Sequence, residues 1–190
     1  MAIVLASQSP RRQELLQRIG VEDFKTLSLD IDESYPAGLS PEDTVRYIAK
    51  KKCDAAAALC APNDLIITAD TMVFLDNDRL GKPNDEDDAF RMLRELSGRG
   101  HTVCTGVSVR RGETSELFAV STRVFFRPAT DDEIRAYIKT GEPMDKAGAY
   151  GVQSRGALFV ERIDGDFFNV MGLPVEQLGL VLARFGVKLL

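Results

Sequence analysis

Two apolar runs, LIITA at 65–69 and TMVFL at 71–75, meet across a single carboxylate, Asp70. A continuous apolar run of this kind suits a central strand of an α/β sheet, covered on both faces. The carboxylate is the constraint. Burying it is expensive unless it is paired or metal-bound. A turn or cap role fits it poorly, because the apolar pattern continues past it. Open α/β sheets bind ligands just beyond their strand ends, which makes Asp70 a candidate for chemistry.

The remaining pattern places helices and strands around that run. Ala2–Ala6 reads as a short buried strand. Ser9, Pro10 and Gly20 bracket a helix whose inner stripe is Leu15, Leu16 and Ile19. Thr26–Ile31 alternates as a half-buried strand. Ser40-Pro41-Glu42-Asp43 opens a second helix, and a third follows the turn DNDR, over DEDDAFRMLREL. HTVCTGVSVR and ELFAVSTRVFFR read as strands joined at Arg111-Gly112, and Thr130 caps another helix. EPMDKAGAYGVQSRGA lacks periodicity and reads as an ordered loop. Two short strands are expected around DGD at 164–166, then a last helix from Pro174 to near Phe185. Strands and helices alternate without strict βαβ order, so a mixed sheet in one α/β domain over 1–190 is expected.

The 24 Lys and Arg against 29 Asp and Glu leave a net charge of −5. That balance disfavours nucleic acid and anionic membrane as partners, so a polyanionic ligand needs a local cationic cluster. Three cysteines without C-x-x-C spacing and a single His101 argue against a zinc site, and one histidine cannot support both a Ser-His-Asp triad and an independent acid/base role; His101 reads as structural. The sparse cysteines and the polar, Arg-containing stretch after residue 6 predict a cytoplasmic chain.

Cations gather at the first helix. A helix N-terminus presents free N–H groups and a positive dipole end. Ser7 and Ser9 add hydroxyls there, and Arg11 and Arg12 add forked cations, at a local cost that a bound phosphate would offset. Arginines snorkelling onto neighbouring acids are the equally weighted alternative. Asp30, Asp32 and Glu33 follow the alternating strand; turn or cap roles suit Asp30 and Asp32. Lys82 in RLGKP is free to point inward. Of Lys50, Lys51 and Lys52, about 100° apart on one helix, one or two can face a site, and Lys50 and Lys51 read as solvated. With Walker A and G-x-S-x-G frames absent, what survives is a phosphate pocket with oxygen ligands suited to Mg²⁺ or Mn²⁺, the layout of metal-assisted phosphoanhydride hydrolysis.

LASQSPRRQELL, ITADTMV, GKP, LSGRGHTVCTGV, GEPMDKAGAYGVQ and NVMGLP stand in this order along nearly the whole chain. In these motifs the chain resembles the Maf family of nucleoside triphosphate pyrophosphatases, first associated with septum formation. The resemblance implies a Maf/inosine-triphosphatase-like α/β fold, an elongated twisted mixed sheet flanked by helices with a cleft between two lobes. It implies Asp70 as the catalytic proton acceptor, Glu33 and Asp70 as ligands of a divalent cation, and Ser7, Arg12, Lys52 and Lys82 as phosphate-binding. Arg11, Thr71 and Gln153 match the branch acting on dTTP and UTP, and a Gln amide can pair with the imide edge of thymine or uracil.

The resemblance thus implies hydrolysis of dTTP and UTP to the monophosphate and pyrophosphate, with house-cleaning of modified pyrimidine nucleotides such as 5-methyl-UTP or pseudo-UTP compatible with the same residues. Two other readings stand beside it: a 7-methyl-GTP pyrophosphatase, and a nucleotide-binding regulator of cell division. A homodimer is compatible with the pattern, which does not decide it. Ser154, where the family commonly has Gly, raises the question of a positive φ, and Cys53 replaces an alanine. Glu142, Asp145 and Lys146 match the family and equally fit an ion-pair cluster that orders the loop.

Overall fold

The structure is a computed structural model that describes residues 2–76 and 78–190. Seven strands form one mixed sheet: β1 (Ile3–Leu5), β2 (Phe24–Thr26), β3 (Leu65–Leu75), β4 (Asp78–Leu80), β5 (Gly100–Arg111), β6 (Thr114–Phe126) and β7 (Val160–Asp164). Their order is β2-β1-β3-β5-β6-β7, with β4 beside β3. β1 pairs parallel to β2 and β3, whereas β4 runs antiparallel to β3 and β7 antiparallel to β6. Among the described residues there are six α-helices, α1 (Pro10–Arg18), α2 (Pro41–Ala57), α3 (Glu86–Leu96), α4 (Asp131–Ile138), α5 (Phe167–Met171) and α6 (Val175–Arg184), and three short 3-10 helices, Glu142–Asp145, Ala147–Ala149 and Arg155–Phe159, within and just after the segment read as a loop. The turn expected at DNDR includes Asn77, which lies outside the described residues. No helix among the described residues is long and apolar enough to cross a membrane.

The chain divides into two compact units, and the division along β3 falls between Asp70 and Thr71. The first unit takes the chain up to Asp70, with Thr105–Val120 and Gly172–Leu190. Leu5, Leu15, Leu16, Ile48, Leu65, Ile67, Leu173 and Leu178 are the largest of its fully buried side chains among the described residues. α2 is started by Ser40, whose hydroxyl accepts from the Asp43 N–H at 3.1 Å, with Pro41 in the first turn. Its inner stripe is Val45, Ile48, Ala49, Cys53 and Ala56, and helical spacing sets Lys52 on that same face.

α2 lies directly on the sheet. A Cβ on Gly106 of β5 would stand 2.3 Å from the Val45 carbonyl oxygen and 2.7 Å from the Arg46 nitrogen, so only glycine permits this approach. Thr68 of β3 donates its hydroxyl to the Ala49 carbonyl at 2.7 Å. These two contacts fix the height and register of α2 over β3.

Two expected elements differ. The strand expected at Thr26–Ile31 is instead Phe24–Thr26. β2 is an edge strand whose neighbour, β1, ends at Leu5, so pairing has no partner beyond Thr26 apart from one bond from Leu27 N–H to the Leu5 carbonyl, 3.0 Å. Leu27 and Leu29 still pack on the cluster of Ala6, Cys53, Ala56 and Ile66, which is why their alternation looks strand-like. After DGD comes α5, not a second strand. The Asp166 carboxylate accepts the Phe168 N–H at 2.7 Å and caps the turn, and the buried Asn169 amide donates to the Val103 carbonyl and Thr122 hydroxyl.

The second unit, Thr71–Cys104 with Ser121–Met171, buries Met72, Leu93, Leu96 and Ile134. His101 belongs to its core, edge-on to Phe126 and Tyr150, with Nε2 2.8 Å from the Tyr150 hydroxyl. Its structural reading from sequence matches this setting. Burial pushes the imidazole from 6.5 down to about 3.

Two expected outcomes follow from this architecture. Gly106→Ala forces a methyl group into the α2 backbone and should cost about 2–3 kcal/mol in denaturant unfolding, with a null effect refuting the close approach. The second concerns acid. Between about pH 6.5 and pH 3 the unfolded chain protonates His101 and the folded chain does not, so its contribution to stability falls as pH drops through that window. The loss reaches about 2 kcal/mol at pH 5 relative to pH 8. His101→Gln should shrink the measured difference between those two pH values by that amount; an unaltered difference would refute the assignment.

Candidate active site

Thr68 and Asp70 project from the same face of β3, two residues apart, and meet α2 at Ala49 and Lys52, three residues apart. The docking of α2 therefore carries over to the next pair along. The Lys52 ammonium stands 2.7 Å from Asp70 Oδ1 and 2.9 Å from Glu33 Oε1. Asp70 is only 7% exposed, and Glu33, in the irregular segment after β2, is half exposed. Asp70 Oδ2 is buried with no hydrogen-bond partner among the described residues. A carboxylate oxygen in that state has lone pairs directed at no protein donor, which in a native site calls for a water, a ligand or an ion.

Ser7 and Arg12 complete the first unit's share. Arg12 Nε donates to the Gly172 carbonyl at 2.8 Å, and its terminal nitrogen to the Ser7 hydroxyl at 3.2 Å. The Ser9 N–H donates to the same hydroxyl. Ser9 holds the N-cap position of α1, its carbonyl accepting the Gln13 N–H at 3.3 Å, while its hydroxyl makes no capping bond. Burial lowers the Arg12 guanidinium from its ordinary value; Asp70 opposes this, Arg11 adds to it and Glu33 opposes it. Arg12 stays charged, since guanidinium does not deprotonate in proteins.

The structure thus brings Ser7, Arg12, Glu33, Lys52 and Asp70 into one charge network, with Arg11 beside Arg12. Thr71, Lys82 and Gln153 belong to the second unit; Lys82 and Gln153 are exposed and Thr71 is half-buried. Asp32 turns out to be a turn acid that accepts from the Ser34 backbone and hydroxyl, which hold its carboxyl below the usual range. Lys50 pairs with Asp54 on the surface and Lys51 with Asp32, as a solvated face requires. Three contributors escaped the sequence reading: Thr68, Gly106 and the Gly172 carbonyl. All three act through backbone contacts between segments far apart in sequence, and only the NVMGLP motif hinted at the last.

Among the described residues no group of three His, Cys, Asp or Glu side chains could hold a metal ion. Glu33 and Asp70, with the unpartnered Oδ2, do suit a hard cation that takes its remaining ligands from water and substrate phosphates, the usual habit of Mg²⁺.

Lys52→Met strips the buried Asp70 carboxylate of its ammonium and should cost about 3 kcal/mol in denaturant unfolding. Adding Asp70→Asn to it should recover at least about 1 kcal/mol. Strictly additive losses would mean that the two charges are not coupled.

Comparison with known proteins shows the family and the fold. The profile of the Maf-like protein family matches residues 2–185. A dTTP/UTP pyrophosphatase of Bacillus velezensis is 46% identical over 186 residues, covering 98% of this chain and 97% of that protein. One from Syntrophomonas wolfei is 46% identical over 188 residues, 98% of each chain. Among solved structures, the Ham1 protein of Staphylococcus aureus superposes with a TM-score of 0.54 at 14% identity, over 97% of this chain and all of that one. A HAM1 protein from Coxiella burnetii gives 0.52 at 13%, over 97% and 99%. At that identity these two show a shared fold, the mixed α/β sheet flanked by helices. By its near-complete match in sequence, the chain belongs to the Maf family.

Proposed function

We propose that this protein hydrolyses the α–β phosphoanhydride of dTTP and UTP, releasing pyrophosphate and the nucleoside monophosphate. The observation that carries the reading is the buried Asp70 carboxylate, bound through one oxygen to Lys52 and with no hydrogen-bond donor to the other among the described residues, within the field of Arg12. The relatives named dTTP/UTP pyrophosphatase support the choice of substrate.

Asp70 takes the proton of the attacking water as oxygen adds to phosphorus. The bridging oxygen leaves with the electron pair as pyrophosphate. Lys52 exchanges its carboxylate partners for phosphate oxygens when the nucleotide binds, and with Arg12, Ser7 and Lys82 it balances the charge that gathers on the leaving group. Mg²⁺ or Mn²⁺ held by Asp70 and Glu33 would neutralise phosphate charge. Arg11, Thr71 and Gln153 select the base, with the Gln153 amide donating to and accepting from the imide edge.

The test is pyrophosphate release from dTTP, UTP, CTP, GTP, 7-methyl-GTP and 5-methyl-UTP with Mg²⁺ or Mn²⁺. Turnover should be confined to the thymine and uracil nucleotides and should stop when a chelator removes the cation. Asp70→Asn should lose about 10²–10⁴-fold in kcat. Turnover of 7-methyl-GTP alone would keep the mechanism and reject the base assignment. Binding without turnover would make the protein a nucleotide-binding regulator, and wild-type rates in Asp70→Asn would reject that residue's role.

A further inference from the structure

The segment Gly151–Gly156, which carries Gln153, is tied at its far end to one carboxylate and at its near end to a tyrosine hydroxyl that donates to that carboxylate. Glu142 Oε1 accepts from the Tyr137 hydroxyl at 2.7 Å, the Ser154 hydroxyl at 2.6 Å and the Gly156 N–H at 3.2 Å. Oε2 takes the Arg155 N–H at 3.3 Å. The Tyr137 oxygen in turn accepts the Gly151 N–H at 3.1 Å, so donors from residues 151, 154, 155 and 156 converge on this pair of side chains. A Cβ on Gly156 would lie 2.6 Å from the Gly151 carbonyl oxygen and 2.8 Å from the Tyr137 oxygen, so glycine alone lets the loop close. Lys146 braces the base of the knot, donating to the Glu142 carbonyl at 2.7 Å and the Asp145 carboxylate at 2.6 Å. Val152 is buried and Gln153 is exposed beside it.

Ser154 sits at φ −135°, outside the left-handed region that favours glycine, so no glycine is required there. The hydroxyl that this chain carries is spent on Glu142. Hydrogen bonds from the loop's own backbone and hydroxyl distinguish this carboxylate from a surface acid: it accepts three of them, and a fourth from Tyr137 of α4.

We propose that Glu142 is a positioning residue for Gln153: with Tyr137 and Ser154 it holds the 151–156 loop so that the Gln153 amide meets the base at one depth, admitting uracil or thymine and rejecting a purine. The proposal rests on Gln153 contacting the base, as in the function proposed above. Hydrogen bonding alone cannot make the distinction. Uracil offers N3–H beside O4, and guanine offers N1–H beside O6 in the same order, so one amide can pair with either. The larger ring places that edge farther from the sugar. A loop held at fixed depth excludes it, whereas a loop free to retreat does not.

The experiment measures steady-state pyrophosphate release from UTP and GTP by the full chain and by Glu142→Ala, Glu142→Gln, Ser154→Ala and Gln153→Ala. The ratio of kcat/KM for UTP to that for GTP should fall about tenfold in Glu142→Ala and about threefold in Ser154→Ala, carried by a higher KM for UTP. Glu142→Gln, which keeps one acceptor oxygen, should fall between wild type and Glu142→Ala. Loss of general stability would lower both substrates together and leave the ratio alone. An unaltered ratio in Glu142→Ala and Ser154→Ala, with a reduced one in Gln153→Ala, overturns the positioning role and leaves the base contact standing. An unaltered ratio in Gln153→Ala overturns the base contact and the positioning role with it. Should Glu142→Ala fail to fold, exposed Ser154→Ala decides on the same ratio.

Discussion

A lysine ammonium between two carboxylates, one of them buried in the central strand, is the interaction around which the first unit is organised. Asp70 in β3 would carry a large desolvation penalty if left alone. Lys52 offsets it at 2.7 Å while keeping a second contact to Glu33. The pair can form only where α2 lies low on the sheet and in register with β3. Gly106 permits that height, and the Thr68 bond to Ala49 sets that register. These two contacts thus serve one ion pair, which engages one oxygen of Asp70 and leaves the other without a donor among the described residues.

The arrangement also explains how an acidic chain handles a polyanion. Net charge −5 gives no long-range attraction for a triphosphate. The cations are local and already engaged, Arg12 with Ser7 and Gly172 and Lys52 with its two acids. Such partners hold the side chains in place before the ligand arrives, so less conformational entropy is lost on binding. In the second unit Glu142 does for a loop what Lys52 does for a strand: one charged group gathers contacts from several segments and fixes a neighbouring side chain in place.

Much of the chain was legible because local chemistry and tertiary context agree there. β3 and its buried aspartate, the Ser40-Pro41 start of α2, the Thr130 cap and the helix over Glu86–Leu96 follow from hydrophobic period and capping alone. The spacing of three consecutive lysines showed that they could not all face inward, and α2 directs Lys52 to the site while Lys50 and Lys51 pair at the surface. Misreadings arose where a partner's length mattered. Leu27 and Leu29 alternate as a strand would, but β1 stops at Leu5, and an edge strand cannot outlast its only neighbour. The segment after DGD became a helix because Asp166 caps it and Asn169 finds partners in other strands.

What the sequence determined by itself is therefore the list of chemical groups and the class of fold: periodicity is a local property, and a carboxylate within an apolar run signals its cost without any structure. It also supplied the family, through motifs spread along nearly the whole chain. Tertiary structure alone decided which groups share charge. Ser7, Arg12, Glu33, Lys52 and Asp70 are up to 63 residues apart, and Arg12 also reaches the carbonyl of Gly172, 160 residues away. It likewise decided that Ser154 needs no positive φ and serves Glu142 instead. Hydrogen bonds and ion pairs act over about 3 Å, so they depend on how closely distant segments approach. That approach is set by packing, here by a glycine on β5 and a threonine on β3, and no local pattern along the chain encodes it.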